Sequence, residues 1–199
     1  MIEIRLARAA DGPALAEIYH PAVAERATSF EVDPPDGAEM ARRVASLTAT
    51  HPWLVCVEDG AILGYAYASK HRERSAYQWS VEVSAYVHPA AHRRGVGTGL
   101  YASLLSVLEL LGYRNAFAGI TLPNDASVAF HESAGFVPIG TYRLIGWKLG
   151  AWHDVLWLQR DLAPHSSDPP PPIALPHFDG RAALERAFAS GRDHIRRAS

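Results

Sequence analysis

Val81–Tyr101, VEVSAYVHPAAHRRGVGTGLY, runs from an alternating apolar strand through paired arginines and a glycine turn into the start of a helix. Main-chain N–H groups left free at such a helix start, with the positive end of the helix dipole behind them, make a site for pyrophosphate. Gly95, Gly97 and Gly99 permit backbone angles closed to other residues and let a phosphate approach the chain. Arg93 and Arg94 would add charge-assisted hydrogen bonds. Two better-known phosphate loops do not fit. A Walker loop needs Lys-Ser/Thr after its last glycine, where Leu100 stands, and a dinucleotide fold needs GxGxxG directly after its strand, whereas these glycines run GxGxG well beyond Val87. The alternative is an ordinary glycine-rich turn with solvated arginines.

Working outward, Ile2, Ile4 and Leu6 alternate with Glu3 and Arg5 as in a strand, and Asp11 with Pro13 predicts the N-cap and first turn of a helix carrying Leu15, Ile18 and Tyr19. Ser29–Pro35 is a proline-broken loop holding Phe30, after which Asp36 and Glu39 start a second helix with Met40, Val44 and Leu47 on one face. Trp53–Val57 and Ile62–Tyr67 are apolar runs joined through Asp59-Gly60, a tight-hairpin signal. Lys70–Ser75, KHRERS, is too charged to bury and reads as a loop into a strand over Tyr77–Val87. Leu100, Leu104, Val107, Leu108 and Leu111 recur at helical spacing up to Gly112. Phe117–Thr121 is a further strand, Asn124 or Asp125 caps a short helix through His131, and Tyr142–Ile145 and Val155–Leu158 are the last strands. The order β-α-α-β-β-β-α-β-α-β-β mixes hairpins with crossovers and predicts an α/β (α+β) class, a mixed central sheet flanked by helices.

The 199 residues, 48% hydrophobic, suffice for one main domain, assigned to residues 1–162. Residues 163–178 form a Pro-rich linker, and residues 179–199 have Leu184, Ala187, Phe188 and Ile195 on one helical face. That tail either docks on this domain or on another copy, or stays partly ordered. A net charge of −2 offers no basic stripe for nucleic acid and no strongly acidic face for polyamines, which points to a small-molecule partner. Cys56, the only cysteine, lies in an apolar run and excludes an intrachain disulfide; the first residues do not resemble a signal peptide, and no apolar run approaches the ~18 residues of a membrane helix. A cytoplasmic protein with no membrane partner is expected.

His92-Arg93-Arg94-Gly95-Val96-Gly97 resembles the acyl-CoA pyrophosphate loop of the GNAT superfamily, Gln/Arg-x-x-Gly-x-Gly/Ala, with His92 departing at the first position. A literal match also begins at Arg94 and runs to Gly99, but the strand-to-helix spacing favours the first register. The element order over residues 2–162 is likewise similar to the GNAT fold. The resemblance implies acetyl-CoA as co-substrate and no metal. His92, Arg93, Arg94, Gly95, Val96, Gly97 and Thr98 would hold its diphosphate, and main-chain N–H groups near Tyr86 and Val87 would meet the thioester oxygen if that strand splays from its neighbour. Pro123–Phe136, PNDASVAFHESAGF, resembles the second GNAT signature, in which Asn124 and Ser127 meet the cofactor's amide arm and His131 stands where a tyrosine commonly protonates the leaving thiolate. Asn124 also reads as a helix cap, and a lone helix histidine also reads as a core residue.

A narrower likeness joins Ser29-Phe30-Glu31, Arg74-Ser75-Ala76-Tyr77, Trp79-Ser80-Val81-Glu82, Leu122-Pro123-Asn124-Asp125 with His131-Glu132, and Trp152-His153-Asp154-Val155. Together they look like the phosphinothricin N-acetyltransferase branch. That branch implies a catalytic pair, Glu82 and His131, a homodimer, and a small amino-acid substrate with a phosphinyl, sulfone or sulfoximine end. Acyl transfer to an amine needs a proton acceptor, donors for the oxyanion and a proton for the thiolate. Glu82, between the apolar Val81 and Val83, reads as a desolvated carboxylate that takes the amine proton directly or through one water, or else as a solvated strand residue. Which of Glu82 and His131 is base or acid is not fixed by sequence, and a coupled pair could share the work. Arg74 can grip a carboxylate or phosphinate, Tyr77 and Ser84 can donate hydroxyls, and Phe30 can wall the pocket. Ser75, Val83 and the tail depart from the branch. The other readings are acetylation of a protein N-terminus or another amine, or an acyl-CoA sensor without turnover. His88 and His92 lack further ligands for zinc, and the consecutive Trp152-His153-Asp154 cannot form a relay because neighbours on a strand face opposite ways.

Overall fold

The computed structural model describes residues 1–197. In chain order it contains β1 (Ile2–Leu6), α1 (Gly12–Ala24), α2 (Gly37–Thr48), β2 (Trp53–Glu58), β3 (Ala61–Lys70), β4 (Ser80–Val87), α3 (Val96–Leu110), β5 (Asn115–Thr121), α4 (Asp125–Ser133), β6 (Val137–Lys148), β7 (Ala151–Asp161) and α5 (Arg181–Arg192). The seven strands make one sheet ordered β1-β2-β3-β4-β5-β7-β6. Every pairing is antiparallel except that of β4 with β5. This is the mixed α/β sheet flanked by helices that the pattern predicts.

Alternation along the strands assigns side chains to the two faces. Val81 and Val83 of β4, Ala66 and Ala68 of β3 and Ala116, Ala118 and Ile120 of β5 join Leu100, Leu104 and Leu108 of α3 in the larger core. Tyr65 of β3 and Trp53 and Val55 of β2 join Leu15, Tyr19, Met40 and Val44 in a second core under α1 and α2. Glu82, Ser84 and Tyr86 therefore share the α1/α2 face, and Val81 and Val83 are not the surroundings of Glu82.

Asp36 accepts the Glu39 N–H at 2.7 Å and caps α2. Asp11 does not cap α1: its carboxylate is held by both terminal nitrogens of Arg5 at 2.8 Å and by the Arg8 N–H at 2.8 Å, which fixes a 3-10 turn before the helix. The strand expected from Tyr77 begins at Ser80, because Ser75–Tyr77 makes its own 3-10 turn. The last two strands extend far beyond their apolar centres. Leu149 and Gly150, both at positive φ, turn one into the other, and an irregularity at Leu144 is held by its N–H donating to Asp154 Oδ1 at 2.8 Å. The segment after residue 162 runs over the surface rather than away from it. Trp79 Nε1 donates to the Pro170 carbonyl at 2.8 Å, Ile173 N–H to Leu111 at 2.8 Å, and α5 packs on α3 and β1. Gly99 and Gly191 face each other there, each leaving space for the other's carbonyl, so a Cβ on either would collide with the opposite helix. No helix in the described residues is long and apolar enough to cross a membrane.

Candidate active site

The β4–β5 pairing covers only Ser80↔Asn115, Val81↔Ala116 and Glu82↔Phe117, although β4 continues to Val87 and β5 to Thr121. Beyond Glu82 the two parallel strands part, and the β4 edge over Val83–Val87 has no strand partner on that side. Tyr86 and Val87 lie on this open edge. Below it, a cavity of about 490 Å³ is lined by Ala85, Val87, His92, Arg93, Gly95–Thr98, Ala126, Ser127 and Phe130. The phosphate turn, the open strand edge and α4 thus form one groove on the α3 side of the sheet.

Gly95, at φ 82°, turns the chain into α3 without a side-chain cap. The first bond into the helix is Gly99 N–H to Gly95 carbonyl at 2.9 Å, and among the described residues no amide from Arg93 to Thr98 donates a hydrogen bond. Those donors and the dipole of α3 fit a diphosphate in the groove. The two arginines differ. Arg93 is exposed, at φ 60°, with no side-chain partner among the described residues. Arg94 is committed elsewhere: its Nη2 donates to both Glu58 oxygens at 2.8 Å and its Nε to the Arg196 carbonyl at 3.0 Å. The Arg196 N–H returns to the Arg94 carbonyl at 2.8 Å. The expected phosphate contact of the Arg94 side chain is therefore not in place. Nor is that of Gly99, which is buried against α5 rather than facing the groove. His92 folds back so that a ring nitrogen donates to the Val87 carbonyl at 3.1 Å.

Asn124 accepts the Ser127 N–H at 3.2 Å and caps α4, which keeps Ser127 in the groove wall. His131, one turn further, is buried among Tyr101, Phe130 and Phe136. Its Nδ1 lies 2.7 Å from the Ser127 carbonyl, which can only accept, so Nδ1 carries the hydrogen and Nε2 accepts the Tyr101 hydroxyl at 2.9 Å. Burial lowers the His131 pKa, partly offset by the Ser127 carbonyl, so the ring is neutral at pH 7.

Glu82 stands on the other face, half-buried. His71 Nδ1 lies 3.0 Å and Arg72 Nη1 3.1 Å from its Oε1. The His71 ring stacks on Phe117 with centroids 4.3 Å apart at 13°, and Trp157 and Tyr77 present their edges to it. Arg72 lies over Trp157. Glu82 and His131 thus belong to separate hydrogen-bond networks in different layers, and the directly coupled pair allowed from sequence does not form.

The substrate candidates are spread over the Glu82 face. Ser84 is the cross-strand neighbour of Tyr67, and Tyr77 is exposed beside His71. Arg74 is exposed, and its guanidinium has no partner among the described residues. Phe30 lies on Gly146 of β6, where a Cβ would collide with its ring, 6.3 Å from His153. Its loop is anchored by Lys148 Nζ to the Ser29 carbonyl at 2.6 Å and by a bidentate Arg43–Glu31 pair. His71, Arg72, Phe117 and Trp157 were not singled out in the sequence. The available signal was the hairpin register: Lys70↔Val81 and Ser69↔Glu82 bring the start of the charged loop alongside Glu82. Among the described residues no cluster of three or more His, Cys, Asp or Glu could hold a metal ion.

The acetyltransferase (GNAT) domain family matches residues 4–157, and the chain belongs to that family. It is 38% identical over 172 residues to a phosphinothricin N-acetyltransferase of Streptomyces viridochromogenes, covering 86% of this chain and 93% of that protein. It is 33% identical over 165 residues to an L-methionine sulfoximine/L-methionine sulfone acetyltransferase of Salmonella typhimurium, covering 82% and 96%. A crystal structure of a GNAT superfamily phosphinothricin acetyltransferase from Sinorhizobium meliloti in complex with AcCoA superposes with a TM-score of 0.81 at 35% identity, covering 88% of this chain and 96% of that one.

Proposed function

We propose that the protein is an acetyl-CoA-dependent N-acetyltransferase acting on the α-amine of a small amino acid or analogue of the phosphinothricin or methionine sulfone/sulfoximine type. The observation that carries this reading is the groove in which the free amides of Arg93–Thr98 lie beside the open edge of β4, an edge that begins just past Glu82. Acetyl-CoA supplies an activated acyl carbon and a thiolate leaving group. The chain's amides from Arg93 to Thr98 bind the diphosphate, with Arg93 adding charge. Asn124 and Ser127 flank the pantetheine arm, and N–H groups near Tyr86 and Val87 receive the carbonyl oxygen. Glu82 serves the incoming amine on the α1/α2 face. Protonation of the departing sulfur falls to the His131–Tyr101 pair on the α3/α4 side, once one of its two hydrogen bonds opens.

On the Glu82 face, Arg74 and Tyr77 would hold the carboxylate or phosphinyl end of the amino acid, with Ser84 and Phe30 further along the wall. The enzyme acts as a homodimer in this reading. The β6 edge supports it, leaving Val137, Ile139, Tyr142, Ile145 and Trp147 exposed on one edge strand. The lone thiol Cys56, buried in β2 with its pKa pushed up to about 11 by burial, suits a reducing cytoplasm and leaves direct transfer without a covalent enzyme intermediate.

Thiol release from acetyl-CoA is the test, measured against phosphinothricin, methionine sulfone, methionine sulfoximine, polyamines and short peptides. We expect turnover with the first three and little with the others. Turnover confined to peptides would move the acceptor to a protein N-terminus, and cofactor binding without release to any amine would make the protein a sensor.

A further inference from the structure

Glu82 is not alone at the rung where the sheet opens. His71 follows the end of β3, and its ring lies flat on Phe117, the residue paired with Glu82 in the last β4–β5 rung. Trp157 and Tyr77 close on the ring edgewise at 6.0 and 6.2 Å. A ring held by one stacked and two edge-on neighbours has a defined orientation, unlike a solvated loop histidine. Its Nδ1 is 3.0 Å from Glu82 Oε1, and the same oxygen accepts from Arg72. A carboxylate only accepts, so the hydrogen of neutral His71 sits on Nδ1 and the lone pair on Nε2. Nε2 has no partner among the described residues, and the side chain keeps 12% of its surface exposed. A carboxylate that orients an imidazole and stabilises its cation, leaving the far nitrogen free, is the arrangement of a general base.

We propose that His71 Nε2, oriented by Glu82, takes the proton from the acceptor amine, so that Glu82 acts through His71 rather than on the amine itself. The inference rests on the acetyl-transfer reading above. In the step, the neutral amine nitrogen forms the C–N bond, the C–S bond breaks, the extra proton on nitrogen passes to Nε2, and one proton is taken up at sulfur from the His131–Tyr101 side or from solvent. The charged or titratable groups facing His71 are Glu82 from β4, Arg72 beside it in the chain and Tyr77 from the following turn; β5 and β7 contribute only the uncharged rings of Phe117 and Trp157. Burial and the Arg72 cation lower the His71 pKa, while Glu82 raises it, so the ring is free to accept a proton at neutral pH.

Three variants test the role. His71→Phe keeps a ring to stack on Phe117, His71→Asn keeps an N–H for Glu82, and Glu82→Gln keeps the shape of the orienting side chain without its charge. General-base removal predicts a fall in kcat of about 100-fold in both His71 variants, with the KM for acetyl-CoA within about twofold of wild type. Independently of activity, the ring resonance of His71, identified by its absence in His71→Phe, should titrate in the free protein. Its midpoint should fall in Glu82→Gln, and the acid limb of the wild-type kcat/KM profile should coincide with the wild-type midpoint. Wild-type turnover and pH profile in both His71 variants would overturn the role of His71 alone, as would a midpoint indifferent to Glu82→Gln. Absence of thiol release from the wild-type enzyme with every amine would instead overturn the transfer reading together with the proton role, even if the resonance behaves as expected.

Discussion

His131 shows how one side chain can be fixed by its surroundings before any ligand arrives. Its Nδ1–H is spent on the Ser127 carbonyl, its Nε2 on the Tyr101 hydroxyl, and three aromatic rings enclose it. Because burial depresses its folded pKa, the unfolded chain binds the proton more readily, and stability rises with pH. Stability should therefore begin to fall below about pH 6.5, the ordinary histidine value, and go on falling as pH drops through the folded value. His131→Gln, which cannot charge, should show a smaller difference between the melting temperatures at pH 7.5 and pH 5.5 than wild type. An unchanged difference would mean that other groups, such as the half-buried His51, whose pKa burial also lowers, set the acid limb. At this scale the sequence was only partly informative. The motif position of His131 was legible, and its tautomer follows from the Ser127 carbonyl one turn back in the same helix, whereas its Tyr101 partner depends on a helix distant in the chain. Glu82 was legible by its strand, but His71 was hidden in KHRERS, whose charge pattern reads as solvent-exposed until the β3–β4 register is known.

The turn before α3 separates two arginines that look equivalent in sequence. Arg93 points away from protein partners beside the open amides, and Arg94 ties the end of β2 to the tail through Glu58 and Arg196. Arg93→Ala should raise the KM for acetyl-CoA several-fold with little change in melting temperature. Arg94→Ala should do the reverse: losing a largely buried charged pair on the order of 1–3 kcal/mol lowers the melting temperature by several degrees for a chain of this length. Equal KM effects from the two would mean that Arg94 leaves Glu58 to reach the cofactor. The elements themselves were largely readable, since apolar period and the Asp36, Asn124 and Asp59-Gly60 signals belong to local chemistry. What failed locally was decided by longer-range partners: Arg5 drew Asp11 away from α1, and Gly191 claimed Gly99 for helix packing.

Across the whole molecule, the outer strand β6 is the least covered part of the sheet. Exposed Val137 and Tyr142, paired with Gln159 and Val155, lie on one face of this edge and exposed Trp147, paired with Trp152, on the other, so a second copy covering the edge would bury apolar groups on both. Light scattering should give twice the monomer mass. Charging the edge with Ile139→Lys plus Ile145→Lys should yield a folded monomer of unchanged circular dichroism, and a monomeric wild type would remove the homodimer. At the opposite edge the tail is part of the domain. Leu184, Phe188 and Ile195 pack on the core, and such side chains contribute about 1–2 kcal/mol each when covered. This was the feature that sequence left most open, because an amphipathic stretch after a proline run does not say what it will lie against.

Met1 and the last described residues, Arg196 and Arg197, gather at one corner of this domain. The Met1 ammonium bonds Asp59, Arg197 acts on the same carboxylate, and Arg196 is zipped to Arg94 at the mouth of the diphosphate groove. A bulky group joined directly to Met1 or to Arg197 would consequently crowd the same corner.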